Sequence, residues 1–122
     1  MTRIKHIAIR TGDPEKTAKF YQETFGLKRA GLGRTGIYLT DGHINLAILK
    51  GDKLGIEHLG FQVDDVDATL AKVAALGGKP LAERVNVTPT DASTPQSYYE
   101  IKCLGPDGQI IDVSGSGWVG TD

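Results

Sequence analysis

The sequence predicts an α+β domain assembled from two similar β-α-β-β-β modules, spanning residues 1–52 and 53–122. Three observations carry that reading. The start of the chain is repeated near its middle, each copy begins with an alternating stretch followed by an aspartate-capped helical stretch, and a turn signal precedes the last strand of each half.

The repeat aligns IKHIAIRTGDPEKTAKFYQETFGLK from Ile4 with IEHLGFQVDDVDATLAKVAALGGK from Ile56 at a fixed offset. Ile4 matches Ile56, His6 matches His58, Asp13 matches Asp65, Thr17 matches Thr69 and Gly26 matches Gly78. A repeated unit usually buries its apolar face against its copy, so internal repetition outranks local propensity as a guide to fold.

In the first copy Ile4, His6, Ala8 and Arg10 share one parity and Lys5, Ile7 and Ile9 the other, the period of a strand. Asp13 before Pro14 starts a helix, because the carboxylate can accept free backbone N–H groups and proline presets φ. Ala18, Tyr21 and Phe25 follow at helical spacing, and Gly26 ends the helix. In the second copy Asp65 takes the cap position, Val66, Leu70 and Val73 form the apolar stripe, and Gly77 and Gly78 supply the stop. The runs GIYLTD and INLAILK, then KPLAERVNV, YYEIKC and QIIDVSG, read as strands, with Asp41-Gly42 and Pro106-Asp107-Gly108 as turns. TPTDASTPQS, residues 88–97, reads as a polar surface loop or lid, and the tail SGSGWVGTD as loosely held. No linker separates the halves, so one packed domain is expected.

Composition narrows the function. With 14 Lys and Arg against 15 acids, the net charge of −1 offers no field for gathering nucleic acid or anionic lipid. No apolar run approaches the roughly 20 residues that span a bilayer, and no signal-peptide core precedes the first strand, so a cytoplasmic location is expected. The single Cys103 excludes an internal disulfide and reads as a small buried hydrophobe.

His6 and His58 stand at the same place in the repeat, and two imidazoles at equivalent strand positions point to a shared metal. Asp112 lies in QIIDVSG among Ile110, Ile111 and Val113, where an ionised carboxylate needs a partner. Two imidazoles and a carboxylate suit one divalent metal, Fe, Mn, Zn, Ni or Co, and leave coordination positions open for a bidentate substrate.

Paired β-α-β-β-β modules, a histidine in the first strand of each, and GPDGQIIDV from Gly105 resemble the vicinal oxygen chelate superfamily over nearly the whole chain. That superfamily includes glyoxalase I, methylmalonyl-CoA epimerase, extradiol dioxygenases, glutathione-dependent fosfomycin resistance enzymes and metal-free bleomycin-binding proteins. The resemblance implies a half-open barrel-like sheet, a homodimer, and metal ligands at His6, His58 and Asp112, the last standing where relatives carry glutamate. Whether modules pair within a chain or across subunits stays open.

The fourth ligand of glyoxalase I and the epimerase should fall within INLAILK, where Asn45, Leu46 and Ala47 offer no carboxylate, which implies a three-ligand site with an open face. The dioxygenases and fosfomycin enzymes place a tyrosine where Lys102 lies, and the fosfomycin enzymes a threonine where Ala8 stands. Glu100 and Lys102, on one parity, could supply an acid/base and a cation beside a metal-bound oxyanion, with Tyr98 joining them and Tyr99 facing away. Arg10 and Gln62, sharing parity with the histidines, are candidate substrate contacts at the rim. His43 reads as a surface residue, and Tyr38 and Trp118 as packing residues. The expected function is a metal-dependent lyase, transferase or dioxygenase acting on a small oxygen-rich substrate. The alternative is a metal-free small-molecule binding protein of the bleomycin-resistance type.

Overall fold

The computed structural model describes residues 1–122, with the side chain of Ala82 left aside. Its elements run β1 (Arg3–Thr11), α1 (Pro14–Phe25), β2 (Lys28–Leu32), β3 (Gly36–Thr40), β4 (Asn45–Lys50), β5 (Gly55–Gln62), α2 (Val66–Ala75), β6 (Lys79–Asn86), β7 (Tyr99–Leu104) and β8 (Ile110–Ser114). The eight strands form one curled sheet in the order β2-β3-β4-β1-β5-β8-β7-β6. At its centre β1 and β5 pair antiparallel, β4 runs parallel to β1, and β8 runs parallel to β5. The two β-α-β-β-β runs thus meet through their first strands, side by side within one chain.

Capping chemistry sets both helices as the sequence foretells. Asp13 accepts from the Lys16 N–H at 3.1 Å and Asp65 from the Ala68 N–H at 3.0 Å, each satisfying a donor that a helix start leaves free. α1 lies against β3 and β4, and α2 against β6 and β7, on the opposite side of the sheet from the histidines. Ala18 is fully buried under α1 and Tyr21 partly so. Phe25 departs from the expected stripe: it is exposed and meets Phe20 edge-on.

Three other expectations change. β2 has too little alternation to stand out, because KRAGL forms an edge strand with a register shift between Arg29 and Gly31 and needs only one protected face. The 88–97 loop is tied across to that edge: Thr90 N–H donates to Leu32 O at 2.9 Å, Leu32 N–H to an Asp91 carboxylate at 3.0 Å, and the Ser93 hydroxyl to Ala30 O. Since the loop leaves β6 at the far edge of the sheet, it links the two edges and closes the curl. The tail is anchored, not loose, because Trp118 and Val119 bury in a cluster with Ala8, Tyr38, Ala47, Val87 and Tyr98. Cys103 is buried with Val63 and Val113, as expected. No helix among the described residues is long and apolar enough to cross a membrane.

Candidate metal centre

Strand register brings the predicted ligands together. Ala8 lies opposite His58 across the central pair, and Gly60 lies beside both His6 and Asp112. Gly60 has to lack a side chain, since a Cβ there would sit 2.7 Å from the His6 Cβ and 2.8 Å from the Trp118 ring. The His6 and His58 Nε2 atoms are 3.3 Å apart, and Asp112 Oδ2 lies 2.9 Å from His58 Nε2 and 3.7 Å from His6 Nε2. All three residues are buried, and one ligand atom from each falls within 4.8 Å of the others.

The outer nitrogen of each ring has its own acceptor. His6 Nδ1 is 2.8 Å from Asn45 Oδ1, and the Asn45 amide donates at 3.0 Å to Val119 O, which turns its oxygen toward the ring. His58 Nδ1 is 2.9 Å from a Glu57 carboxylate oxygen. An Nδ1–H on each ring leaves both Nε2 lone pairs facing inward, the arrangement that outer hydrogen bonds impose on metal-binding histidines. Asp112 Oδ2, fully buried, has no aligned hydrogen-bond donor despite the nearness of His58. Two imidazole nitrogens and a carboxylate oxygen therefore converge in a buried space, and these residues fit a divalent cation.

Charge around the centre is strongly perturbed. Burial lowers the His6 pKa to about 4, so its ring is neutral at pH 7. Burial opposes charge on His58 too, but Asp112 beside it outweighs this and raises its pKa. Against its own burial, Asp112 is held well below the usual carboxylate range by His58, Glu100 and Lys102. Lys102 Nζ reaches Asp112 Oδ1 at 2.8 Å and Glu100 Oε2 at 3.1 Å. Burial, then the neighbouring Asp112, pushes Glu100 up to about 7. The Trp118 indole donates to Glu100 Oε1 at 3.2 Å while its ring stacks on His6 at 4.9 Å between centroids.

A cavity of about 280 Å³ opens over this floor. Arg10, Glu100 and Lys102 line it, and Tyr99 lies beneath the Arg84 guanidinium. Gln62 and Tyr98 lie elsewhere. Because β1 and β5 are antiparallel, Arg10 pairs near Gly55 at one end of the sheet and Gln62 pairs with Arg3 at the other, so equal parity puts them at opposite rims. Gln62 packs against Gly117. Tyr98 precedes β7, is buried in the apolar cluster, and donates its hydroxyl to Gln96 Oε1 at 3.3 Å. His43 is on the surface, 2.9 Å from an Asp122 carboxylate oxygen.

Glu57 is the cavity residue that alternation misses. Strict parity would turn it away from His58, but a register shift between Ala8 and Ile9 leaves it as the extra residue of a β-bulge. It therefore faces the cavity beside its neighbour, paired with Arg10 Nε and His58 Nδ1. Tyr38 lines the cavity as well as the core. A glutamate preceding a candidate ligand was the available signal for Glu57, and nothing local marks Trp118 as the ring under His6.

Several known proteins share this architecture. The chain is 33% identical over 94 residues to an Arabidopsis thaliana chloroplastic protein described as "Probable lactoylglutathione lyase", covering 63% of this chain and 27% of that one. The chain thus matches only about a quarter of that relative's length. The Mn(II)-bound glyoxalase of Novosphingobium aromaticivorans superposes with a TM-score of 0.73 at 22% identity, covering 96% of this chain and 41% of that one. A methylmalonyl-CoA epimerase bound to methylmalonyl-CoA and NH4+ gives 0.71 at 20% identity, covering 100% and 99%. A 2,3-dioxygenase of Pseudomonas sp. KL28 gives 0.71 at 23%, covering 98% and 42%. These three likenesses establish the fold. The family model of the Glyoxalase/Bleomycin resistance protein/Dioxygenase superfamily matches residues 3–113, and the chain belongs to that superfamily, the vicinal oxygen chelate group.

Proposed function

We propose that the chain is a divalent-metal-dependent enzyme acting on a small oxygen-rich organic substrate, with the metal held by His6, His58 and Asp112. The observation that carries this reading is the buried convergence of His6 Nε2, His58 Nε2 and Asp112 Oδ2, the last without an aligned hydrogen-bond partner among the described residues. A bound divalent ion supplies Lewis acidity toward a chelated pair of substrate oxygens.

The chain's own residues do the rest. Asn45 and Glu57 fix the two imidazoles. Glu100, carrying a pKa of about 7 and held by Trp118 and Lys102, is poised to take a proton from the substrate or return one near neutral pH. Glu57 is unsuited to that part because Arg10 and His58 occupy it. The Lys102 ammonium stands beside Asp112 where negative charge on substrate oxygen would develop. Ala8, Ala47 and Leu49 give the cavity apolar walls, and Ala47 and Leu49 supply no further ligand from β4. A three-ligand centre with an open face favours dioxygenase-like chemistry over a four-ligand glyoxalase I arrangement. A homodimer with two such sites belongs to the same reading and is checked by light scattering.

Metal analysis after gentle purification, followed by calorimetric titration with Mn(II) and Zn(II), tests the proposal. Stoichiometric binding lost in His6→Ala and in His58→Ala is the expected result. No metal as purified and no uptake on reconstitution would sink it.

One observation favours a second reading, a metal-free binding protein: Lys102 Nζ is 2.8 Å from Asp112 Oδ1 and already supplies a cation to that carboxylate. In that case, replacing both His6 and His58 leaves small-molecule affinity nearly intact, whereas a metal-anchored ligand loses most of its binding.

A further inference from the structure

The cavity carries a second chemistry at its mouth. Three cations line it, Arg10, Lys102 and Arg34. Arg10 is paired with Glu57, and Lys102 with Asp112 and Glu100. Arg34 has no carboxylate within salt-bridge distance among the described residues, so it is the one of the three without a carboxylate partner.

The turn that carries Arg34 is held in place by its neighbours, and the Arg34 side chain is exposed. Arg34 lies with Thr35 in the tight connection between β2 and β3, closed by Gly33 N–H donating to Gly36 O at 2.8 Å. Both glycines are pressed against the body of the protein. A Cβ on Gly33 would come within 2.7 Å of the Tyr38 ring, and one on Gly36 within 2.3 Å of Ile48 O. The turn therefore rests on the Tyr38 phenol and on β4, with Arg34 at the cavity's edge.

Tyr38 supplies a second, independent feature. It is only 6% exposed, yet it lines the cavity, and its hydroxyl has no hydrogen-bond partner among the described residues. Burial pushes its pKa up to about 12, so the hydroxyl keeps its proton at neutral pH and is free to donate to a ligand oxygen. The Tyr38 hydroxyl also lies against the backbone of the turn that carries Arg34, since a Cβ on Gly33 would sit 2.8 Å from it. Leu49, Val85 and Val87 give the same cavity an apolar part of its lining.

We infer that Arg34 and the Tyr38 hydroxyl form a carboxylate-binding subsite at the cavity mouth. The ligand is then an organic acid whose carboxylate sits at Arg34, whose short apolar body lies along Leu49, Val85 and Val87, and whose chelating oxygens reach the floor. The planar guanidinium fork matches the two oxygens of a carboxylate, and the phenol adds one more donor. The floor half of this assignment rests on the metal reading above, whereas the mouth half stands on Arg34 and Tyr38 alone.

The mouth is tested first without metal. EDTA-treated, isotope-labelled protein is titrated with glutarate and, as a neutral control, glutaramide, while amide signals of Gly33–Gly36 and Tyr38 are followed by NMR. Saturable shifts with glutarate only are expected. Arg34→Gln should weaken binding about tenfold or more, and Tyr38→Phe by a smaller factor, as for loss of a hydrogen bond to a charged group. The remaining spectrum shows that each variant is folded. Equal binding of glutaramide, or glutarate binding untouched by R34Q, overturns the subsite. Inorganic phosphate binding more tightly than glutarate with the same Arg34 dependence overturns the carboxylate assignment in favour of a phosphoryl group.

In Mn(II)-loaded protein, 2-hydroxyglutarate should bind about tenfold or more tightly than 2-hydroxypentanoate, which lacks the distal carboxylate, and R34Q should erase that difference while leaving Mn(II) affinity unchanged. Equal binding of the two acids overturns the proposed span from floor to mouth. Failure of wild-type protein to bind Mn(II) counts against the metal reading, and the subsite is then decided by the glutarate titration.

Discussion

The two modules start from one pattern and end with different chemistry. Each places a histidine on its first strand, and each follows that strand with a parallel partner: β4 beside β1, β8 beside β5. Register then identifies the corresponding positions on those partners. Ala8 pairs with Ala47 in the first module, and Gly60, its counterpart in the repeat, pairs with Asp112 in the second. The symmetry mate of the buried carboxylate is therefore a methyl group. The supports differ in the same way: His6 is oriented by the neutral Asn45 and stacked on Trp118, whereas His58 is oriented by the charged Glu57 and sits against Asp112. One module supplies a neutral imidazole and an apolar wall, and the other supplies the charge. Duplication builds the position of the site, and divergence at a few side chains decides what the site can hold.

This asymmetry can be broken most severely at Asp112. Asp112→Ala removes the only anionic ligand of the set, and the calorimetric affinity for Mn(II) or Zn(II) should fall by more than about a hundredfold, since outer partners alone contribute 10–100-fold. An unchanged affinity would mean that the metal, if bound, sits elsewhere.

The histidines should next be separable by pH. His6 has a folded pKa of about 4 against 6.5 unfolded, so between those values the unfolded chain binds more protons. Its contribution is intact above pH 6.5 and is lost as pH falls toward 4, a slope worth up to about 3 kcal/mol. His58 is shifted upward, so its contribution is present below pH 6.5 and fades as pH rises through its folded pKa. Urea midpoints of metal-free protein should show a shallower acid limb in His6→Asn than in wild type, and no such flattening in His58→Asn. Identical acid limbs in wild type and H6N would contradict the assigned burial effect.

Removing the outer supports compares the two modules directly. Asn45→Ala and Glu57→Ala should each lower metal affinity by about 10–100-fold. Glu57→Gln should recover part of that loss, because its amide oxygen can still accept from His58 Nδ1. Equal affinity in all three variants would show that the rings are held by packing alone.

The smallest effect is expected from restoring symmetry. Ala47→Glu puts a carboxylate on β4 opposite Ala8 and should tighten metal binding, at a packing cost of about 1–3 kcal/mol read from denaturant midpoints. Metal affinity that falls in A47E, with the fold intact, would show that the open wall has no room for a fourth ligand.

Much of the site is legible in the chain because repetition and alternation are local signals. The repeat predicts that His6 and His58 are equivalent, and the apolar flanks of Asp112 demand a partner for its charge. Parity alone places Glu100 and Lys102 together. The same parity rule fails for Gln62, because it says which face a side chain takes but not which end of an antiparallel pair it occupies. It fails for Glu57 because a bulge adds a residue without leaving a mark in the residue pattern. β2 and the anchored tail escape notice because an edge strand and a segment buried through Trp118 depend on what packs beside them.

The sequence by itself determined the module plan, the two aspartate-capped helices and the trio of candidate metal-ligating residues, because periodicity and capping are properties of neighbours along the chain. Tertiary structure alone decided that the trio meets at 2.9–3.7 Å, that Ala47 stands at the symmetry mate of Asp112, and that among the described residues Asp112 Oδ2 has no aligned donor and Arg34 no carboxylate partner. Those facts depend on strand order and register, which are fixed by long-range pairing between residues that the chain keeps far apart.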